Sequence, residues 1–287
     1  TNPLRSNKRQ LLSRRTMIKK DKAFTLVELL VVVAVLALLA SMVFSNLTGA
    51  REQAKISNAL SFQSNMHNLL GADLVGWWNF DEDCQGVSEG GLAPASIKNY
   101  AGGPVGSNNG AKCTSDSPVA GGSGIDVRGG SYHVSLGSYD FSPGVGATIS
   151  IWYNSTFASG SQMVFGGQGA LFCYSYISGQ VRCDTNGSSS SANNFGGDTH
   201  DGNWHHLILS TDGTNAKAYL DGELGAQWSE AMGTGSKLYI IGNYNPGGSY
   251  TFDGKLDDVR IYSRALTAYE VQTLYAQTKG NYLVEDI

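Results

Sequence analysis

The sequence predicts a mainly β protein, a jelly-roll β-sandwich preceded by one long N-terminal α-helix. Composition is the first reason. The 287 residues include 37 Gly, only 6 Pro, and 14 Tyr, 10 Phe and 5 Trp, which suits short strands and tight turns better than a helical bundle. Patterning is the second. About ten short β-branched or aromatic runs follow residue 74, and TDGT (211–214) and LDGE (220–223) between them are Asp-Gly hairpin signals. The third is an apolar run, Phe24–Phe44, that has no proline and continues as an amphipathic pattern to about Leu70.

Residues 1–23 form a basic leader with eight Lys/Arg against one acid, a net charge of +7, whereas the remainder has twelve bases and twenty-three acids, a net of −11. A basic flank directly before an apolar run is the cytoplasmic side of a membrane segment. The acidic bulk argues against a nucleic-acid surface. Thr1 opens the chain and Met17 is its first methionine, so a start at Met17 would leave a short basic leader before Phe24. At 1.5 Å per residue, about 20 apolar residues cross a bilayer core, which Phe24–Phe44 supplies. Ala59, Phe62, Met66 and Leu69 then recur at helical steps, with Arg51, Glu52, Lys55, Asn58 and Asn65 elsewhere. One helix over 24–72 is therefore expected, stopped by Gly71-Ala72-Asp73.

The domain is expected over 73–280, with a tail at 281–287. Its candidate strands are Leu74–Phe80, Tyr132–Leu136, Ala147–Tyr153, Gln162–Phe165, Ala170–Ile177, Gln180–Asp184, Trp204–Ser210, Ala216–Leu220, Lys237–Gly242 and Lys255–Tyr262. Residues 85–130 carry few strand cues and read as a long loop. TAYE (267–270) is a capping box, opening a helix whose Leu266, Val271, Leu274 and Tyr275 can dock on the sandwich. Cys173 and Cys183 flank a hairpin turn near Ser178-Gly179, so their spacing suits a cross-strand bridge and leaves Cys84 with Cys113. Free buried thiols are the alternative. Disulfides would place the domain outside the cytoplasm.

Glu28 is the feature that a plain anchor does not explain, because a carboxylate in lipid is costly unless paired. A signal peptide is also a poor fit, since the apolar run lacks a small-x-small cleavage site and flows into a helix. The stretch KAFTLVELLVVVAVLALLA resembles the helix start of type IV pilins and type II secretion pseudopilins. The resemblance implies cutting by a prepilin peptidase between Ala23 and Phe24, methylation of the new amine, and assembly with other pilin subunits. Glu28 would then pair with the Phe24 amine of a neighbouring subunit, both groups being unpaired within one subunit. The family usually has glycine where Ala23 stands.

Four further stretches, SYHVSLGS, ATISIWY, NWHHLILSTDGTNAKAYLDGEL and FDGKLDDVRIYSRALTAYEVQTLY, with LVGWWNFDED as an opening strand, resemble laminin-G-like domains of the concanavalin A-like superfamily. The resemblance covers about 74–278 and implies a module that binds glycans or proteins, sometimes with calcium. Trp228, Tyr244 and Tyr250 are the candidate ligand-binding residues, each equally open to being core. Asp257 is the candidate calcium ligand, with a hydrogen bond fixing a turn or the Arg264 strand-to-helix link as the favoured alternative. His205 and His206 point to opposite faces of one strand, and a buried, hydrogen-bonded histidine is expected there rather than a ligand. Some relatives of this fold are glycoside hydrolases, but the Glu-x-Asp-x-x-Glu strand motif is missing, and no catalytic residues are assigned.

The functional expectation is a minor pilin or pseudopilin displaying an adhesive domain. The precursor would sit in the inner or cytoplasmic membrane and the mature protein in a filament outside. A major structural subunit without ligand binding, or a membrane-anchored glycan hydrolase, are the other classes.

Overall fold

In the computed structural model, residues 25–40 and 70–280 are described, leaving out 120, 142–143, 145, 157–159, 168–170, 177, 187–192, 233–235 and 244–249. The chain divides into two units, Thr1–Phe62 and Gln63–Ile287. In the first, residues 26–40 form helix α1. Its large apolar side chains, from Leu26 to Leu39, are all 50% to 78% exposed and lie on every face. Among the described residues no helix is long and apolar enough to cross a membrane. The rest of the expected helix, 41–69, and the peptidase site at Ala23 and Phe24 lie outside the described residues.

The second unit is a sandwich of two antiparallel sheets. One sheet runs β14 (Glu223–Ser229), β13 (Asn215–Leu220), β12 (Trp204–Thr211), β7 (Ala147–Ser155), β16 (Gly254–Tyr262), β5 (Gly124–Asp126), β4 (Lys112–Thr114), with β1 (Leu74–Trp78) also on β16. The other runs β11 (Asn193–Phe195), β10 (Val181–Asp184), β9 (Phe172–Ser175), β8 (Gln162–Gly166), β15 (Ser236–Ile241), β6 (His133–Phe141), β3 (Gly106–Asn109), β2 (Ser96–Ile97). A one-turn helix α2 (Asp81–Cys84) follows β1, and α3 (Ala268–Gly280) ends the unit.

Alternation sorts the side chains as a sandwich requires. Ile149, Ile151 and Tyr153 of β7 and Leu207 and Leu209 of β12 are fully buried, all meeting Val134, Leu136 and Phe165 of the facing sheet in one core. Ile208, between the two leucines, faces the other way into a second cluster with Tyr219, Tyr262, Leu266, Val271 and Leu274. That cluster seats α3 on the back of the first sheet, so β7 is buried on both faces. Its back face carries Thr148 and Ser150, whose hydroxyls are hydrogen-bonded, and Trp152, whose Nε1 has no partner among the described residues. Thr148 and Ser210 hydroxyls both accept from Leu266 N at 3.0 Å. Helix α3 starts as TAYE predicts: Thr267 N and Oγ1 donate to Glu270 Oε2 at 2.8 and 2.9 Å.

Both disulfides are present, Cys84–Cys113 and Cys173–Cys183. Cys173 and Cys183 are directly opposite in the β9–β10 ladder. The structure departs from expectation over 85–130, where β2 to β5 lie. They are two to four residues long, and GSNN of β3 has no apolar alternation, so nothing local marks them. Their pairing comes from longer neighbours, β6 for β3 and β16 for β5.

Candidate functional site

The ends of five strands and their loops meet at a cleft of about 170 Å³. Asn154 and Ser155 finish β7, Gly254 and Lys255 start β16, Gly202 precedes β12, and Asp116 and Arg128 come from the loops around β4 and β5. Gly254 is required at the floor, because a Cβ there would lie 2.2 Å from Asn154 O. Asn154 Nδ2 donates to Gly202 O at 2.6 Å and fixes the wall.

The charges of the cleft are paired. Lys255 Nζ donates to Asp116 Oδ2, and Trp204 Nε1 donates to Asp116 Oδ1 at 2.9 Å. Arg128 Nε donates to Asp126 Oδ1 at 2.9 Å. Burial pushes Asp116 and Asp126 up, but the hydrogen bonds from Lys255 and Trp204 to the one, and from Arg128 to the other, hold both below the ordinary carboxylate range. None of the cleft residues was singled out from the sequence. Lys255, Asp126 and Asp116 are far apart in the chain, and only the β16–β5 pairing, which sets Lys255 opposite Asp126, brings them together.

The residues chosen from the sequence go elsewhere. Trp228 packs against the main core and donates from Nε1 to Thr185 Oγ1 at 3.3 Å. Tyr250 is exposed, with φ of 59°, and its carbonyl accepts from Met163 N. Tyr244 lies outside the described residues. An aromatic row went unnoticed in the sequence: Phe172, Tyr174 and Tyr176 follow one another at 5.7 and 5.0 Å between ring centroids. Arg182 Nη1 donates to Tyr176 OH at 2.6 Å. The alternation of YSY beside a cysteine would have been the signal.

Glu28 has partners in its own chain. Its Oε2 accepts from Thr25 N and Oγ1, each at 2.9 Å, so the two residues form a capping box at the start of α1. The carboxylate is therefore not unpaired within one subunit, which corrects that premise.

Asp257 is buried, and both its oxygens are engaged: Oδ2 accepts from Ser117 Oγ and Oδ1 from Asp258 N, each at 2.6 Å. Burial, opposed by the Ser117 bond and aided by the Asp258 and Asp81 charges, raises it well above the ordinary range. The neighbouring acids are occupied too, Asp258 Oδ1 by Trp77 Nε1 and Arg260 Nε, and Asp81 Oδ1 by Ser123 N. No group of three metal-ligating side chains occurs among the described residues, so this donor set does not fit calcium. Arg264 is held by Asp73 and Glu270 rather than by the Asp257-Asp258 pair.

His206 is buried as expected; its Nε2 meets Ser150 Oγ at 2.7 Å and burial pushes it down to about 3. A second pair joins His200 Nε2 to Ser175 Oγ. Both serines are buried, and Nδ1 of each histidine lacks a partner among the described residues. Neither pair has the accessible nucleophile and oriented base of a hydrolase.

A two-sheet sandwich with a polar cleft among its end loops is the architecture of lectin-like domains. Residues 128–272, half of the chain, match the concanavalin A-like lectin/glucanases superfamily, and the chain belongs to it. Residues 18–44 match the prokaryotic N-terminal methylation motif. Domain 4 of AbnA, a GH43 extracellular arabinanase from Geobacillus stearothermophilus in complex with arabinotriose, is similar over 71% of this chain and 98% of its own, with TM-score 0.52 and 18% identity. Trypanosoma rangeli sialidase with 2,3-difluorosialic acid is similar over 78% of this chain, with TM-score 0.54 and 14% identity. A mutant of that sialidase displaying trans-sialidase activity gives 79%, 0.55 and 14%. The match spans 39% of each sialidase chain, and at these identities the likeness is one of fold. Comparison with curated protein sequences gives no match.

Proposed function

We propose that this protein is a pilin-type subunit that displays a glycan-binding concanavalin A-like domain outside the cell. The observation that carries the first half is α1, whose large apolar side chains are exposed on every face. Such a helix is stable only in lipid or among other helices, and it lies inside the methylation motif. A prepilin peptidase would cut between Ala23 and Phe24, leaving Glu28 to choose between its own Thr25 and the Phe24 amine of a neighbour. The membrane would hold the precursor, and the filament the mature chain. Co-expression with a prepilin peptidase should shorten the chain at Ala23–Phe24, read by mass spectrometry. An uncut chain ends this reading.

The second half rests on the cleft. Paired charges, an indole and backbone groups at the loop end of a lectin-like fold suit a ligand rich in hydroxyls. Binding without hydrolysis is the reading for the chemistry. A glycosidase needs one carboxyl kept protonated and a second facing it, whereas Asp116 and Asp126 are both held ionised by cations. A glycan array probed with the purified protein tests for the ligand, and cleavage of any bound glycan would restore the hydrolase reading.

A further inference from the structure

We propose that the cleft takes a single neutral sugar residue through two adjacent hydroxyls and discriminates against sugars that bear a carboxylate. This rests on the glycan-binding reading above and adds the chemical class. Three charged residues line the cleft, Asp116, Lys255 and Arg128, and Asp126 lies behind Arg128, so the four charges alternate in sign. Lys255 holds Asp116, Arg128 holds Asp126, and Lys255 stands opposite Asp126 across the β16–β5 ladder.

A sugar hydroxyl both donates and accepts. Two adjacent hydroxyls can therefore accept from a cation and donate to its carboxylate partner without either charge being uncovered. A carboxylate ligand only accepts. To reach Arg128 or Lys255 it must displace Asp126 or Asp116, each of which then stands beside it as a like charge. Trp204 adds the apolar component. Its Nε1 is committed to Asp116, which fixes the ring beside the cleft, where its face can pack on the C–H face of a sugar. The volume sets the size. At about 170 Å³ the cleft is smaller than the roughly 300–1,000 Å³ of pockets for drug-sized ligands, so it holds one sugar ring while the rest of a chain leaves over the surface.

The test uses the full chain in detergent on an array of neutral glycans printed beside their C6-carboxylate counterparts: glucan with glucuronan, galactan with galacturonan, mannan with mannuronan. A neutral member is expected to bind at least roughly tenfold tighter than its acidic counterpart. Asp116→Asn and Lys255→Met should each weaken that binding by roughly tenfold, the loss of one charged hydrogen-bonding partner. Melting curves report whether these variants are folded, and Tyr176→Ala on the aromatic row should leave binding unchanged. Equal or stronger binding of the acidic glycans overturns the charge argument while leaving a glycan-binding protein. Loss of binding in Tyr176→Ala but not in Asp116→Asn and Lys255→Met overturns the site. No binding to any glycan overturns the parent reading and this inference together.

Discussion

His205 sits between two carboxylates. Its Nδ1 meets Asp221 Oδ2 at 2.8 Å and its Nε2 meets Asp201 Oδ1 at 3.2 Å, tying the loop before β12 to the β13–β14 turn. Burial pulls the imidazole down, but Asp221 and Asp201 outweigh it and the net shift is upward. A histidine raised in the folded state contributes stability below its unfolded value of about 6.5, and that contribution fades as pH rises through the folded value. His205→Gln should therefore lower the melting temperature more at pH 5.5 than at pH 8.5. With both acids about a third exposed, the loss at pH 5.5 is about 1 kcal/mol, or about 2–4 °C for a domain of this size. An equal loss at both values would mean that packing, not charge, is what the ring supplies. Asp257 leads to the opposite kind of expectation. Its two oxygens are already filled by Ser117 and Asp258, so a calcium chelator should move the melting temperature by less than about 1 °C, since nothing bound only to the folded state is removed. A drop of several degrees would restore calcium. At the residue scale the sequence left ligand contact and core equally open for Trp228, which is partly buried and packs against the main core.

Elements follow sequence where the signal is local. The TAYE box forms as read, because an N-cap hydroxyl and a carboxylate three residues on suffice to define it. The longer strands except β14, whose seven residues were not read as a strand, and both disulfides were equally legible. Strands β2 to β5 were not, since each is too short to show a period; β2 and β4 pair with β3 and β5, which are held in turn by β6 and β16. The same non-locality hid the cleft, whose residues come from five separate segments. Arg264 joins the two kinds of information: its Nη1 and Nη2 bond both oxygens of Glu270 at 2.9 and 2.7 Å, while Nε reaches Asp73 at the start of the domain. The Arg264 bond, then burial in opposition, then the Thr267 bonds bring Glu270 down to about 2. A carboxylate depressed in this way stabilises the fold above its unfolded value of about 4.3, and the contribution is lost as pH falls towards 2. Glu270→Gln should cost about 2 kcal/mol in urea melts at pH 7, removing the capping acid and one partner of a bidentate pair together. The gap to the unaltered protein should close as pH falls from 4.5 towards 2. A gap independent of pH would place the effect in the shape of the side chain and not its charge.

At the scale of the whole molecule, two units obey different solvents. The second has its own two-sheet core, both disulfides and the α3 cluster, and Leu70, its first described residue, is buried in that cluster. Asp73 then closes on Arg264 and its carbonyl accepts from Ser263 N at 2.8 Å. Among the described residues, the domain's packing therefore reaches back to Leu70, a few residues before its first strand. The first unit instead exposes eleven large apolar side chains between Leu26 and Leu39, a surface that water does not tolerate without association. A fragment of residues 70–280 should be a soluble monomer with two disulfides, whereas the full chain should need detergent or form filaments. Light scattering on the two preparations decides it. Starting the fragment at Leu74 instead removes Leu70 and Asp73, and its melting temperature should fall by several degrees through a lost apolar contact and an ion pair about a third exposed. A full chain that stays monomeric in plain buffer would sink the assembly reading of α1. A 70–280 fragment that aggregates would show that the sandwich depends on the residues before Leu70 for its own fold.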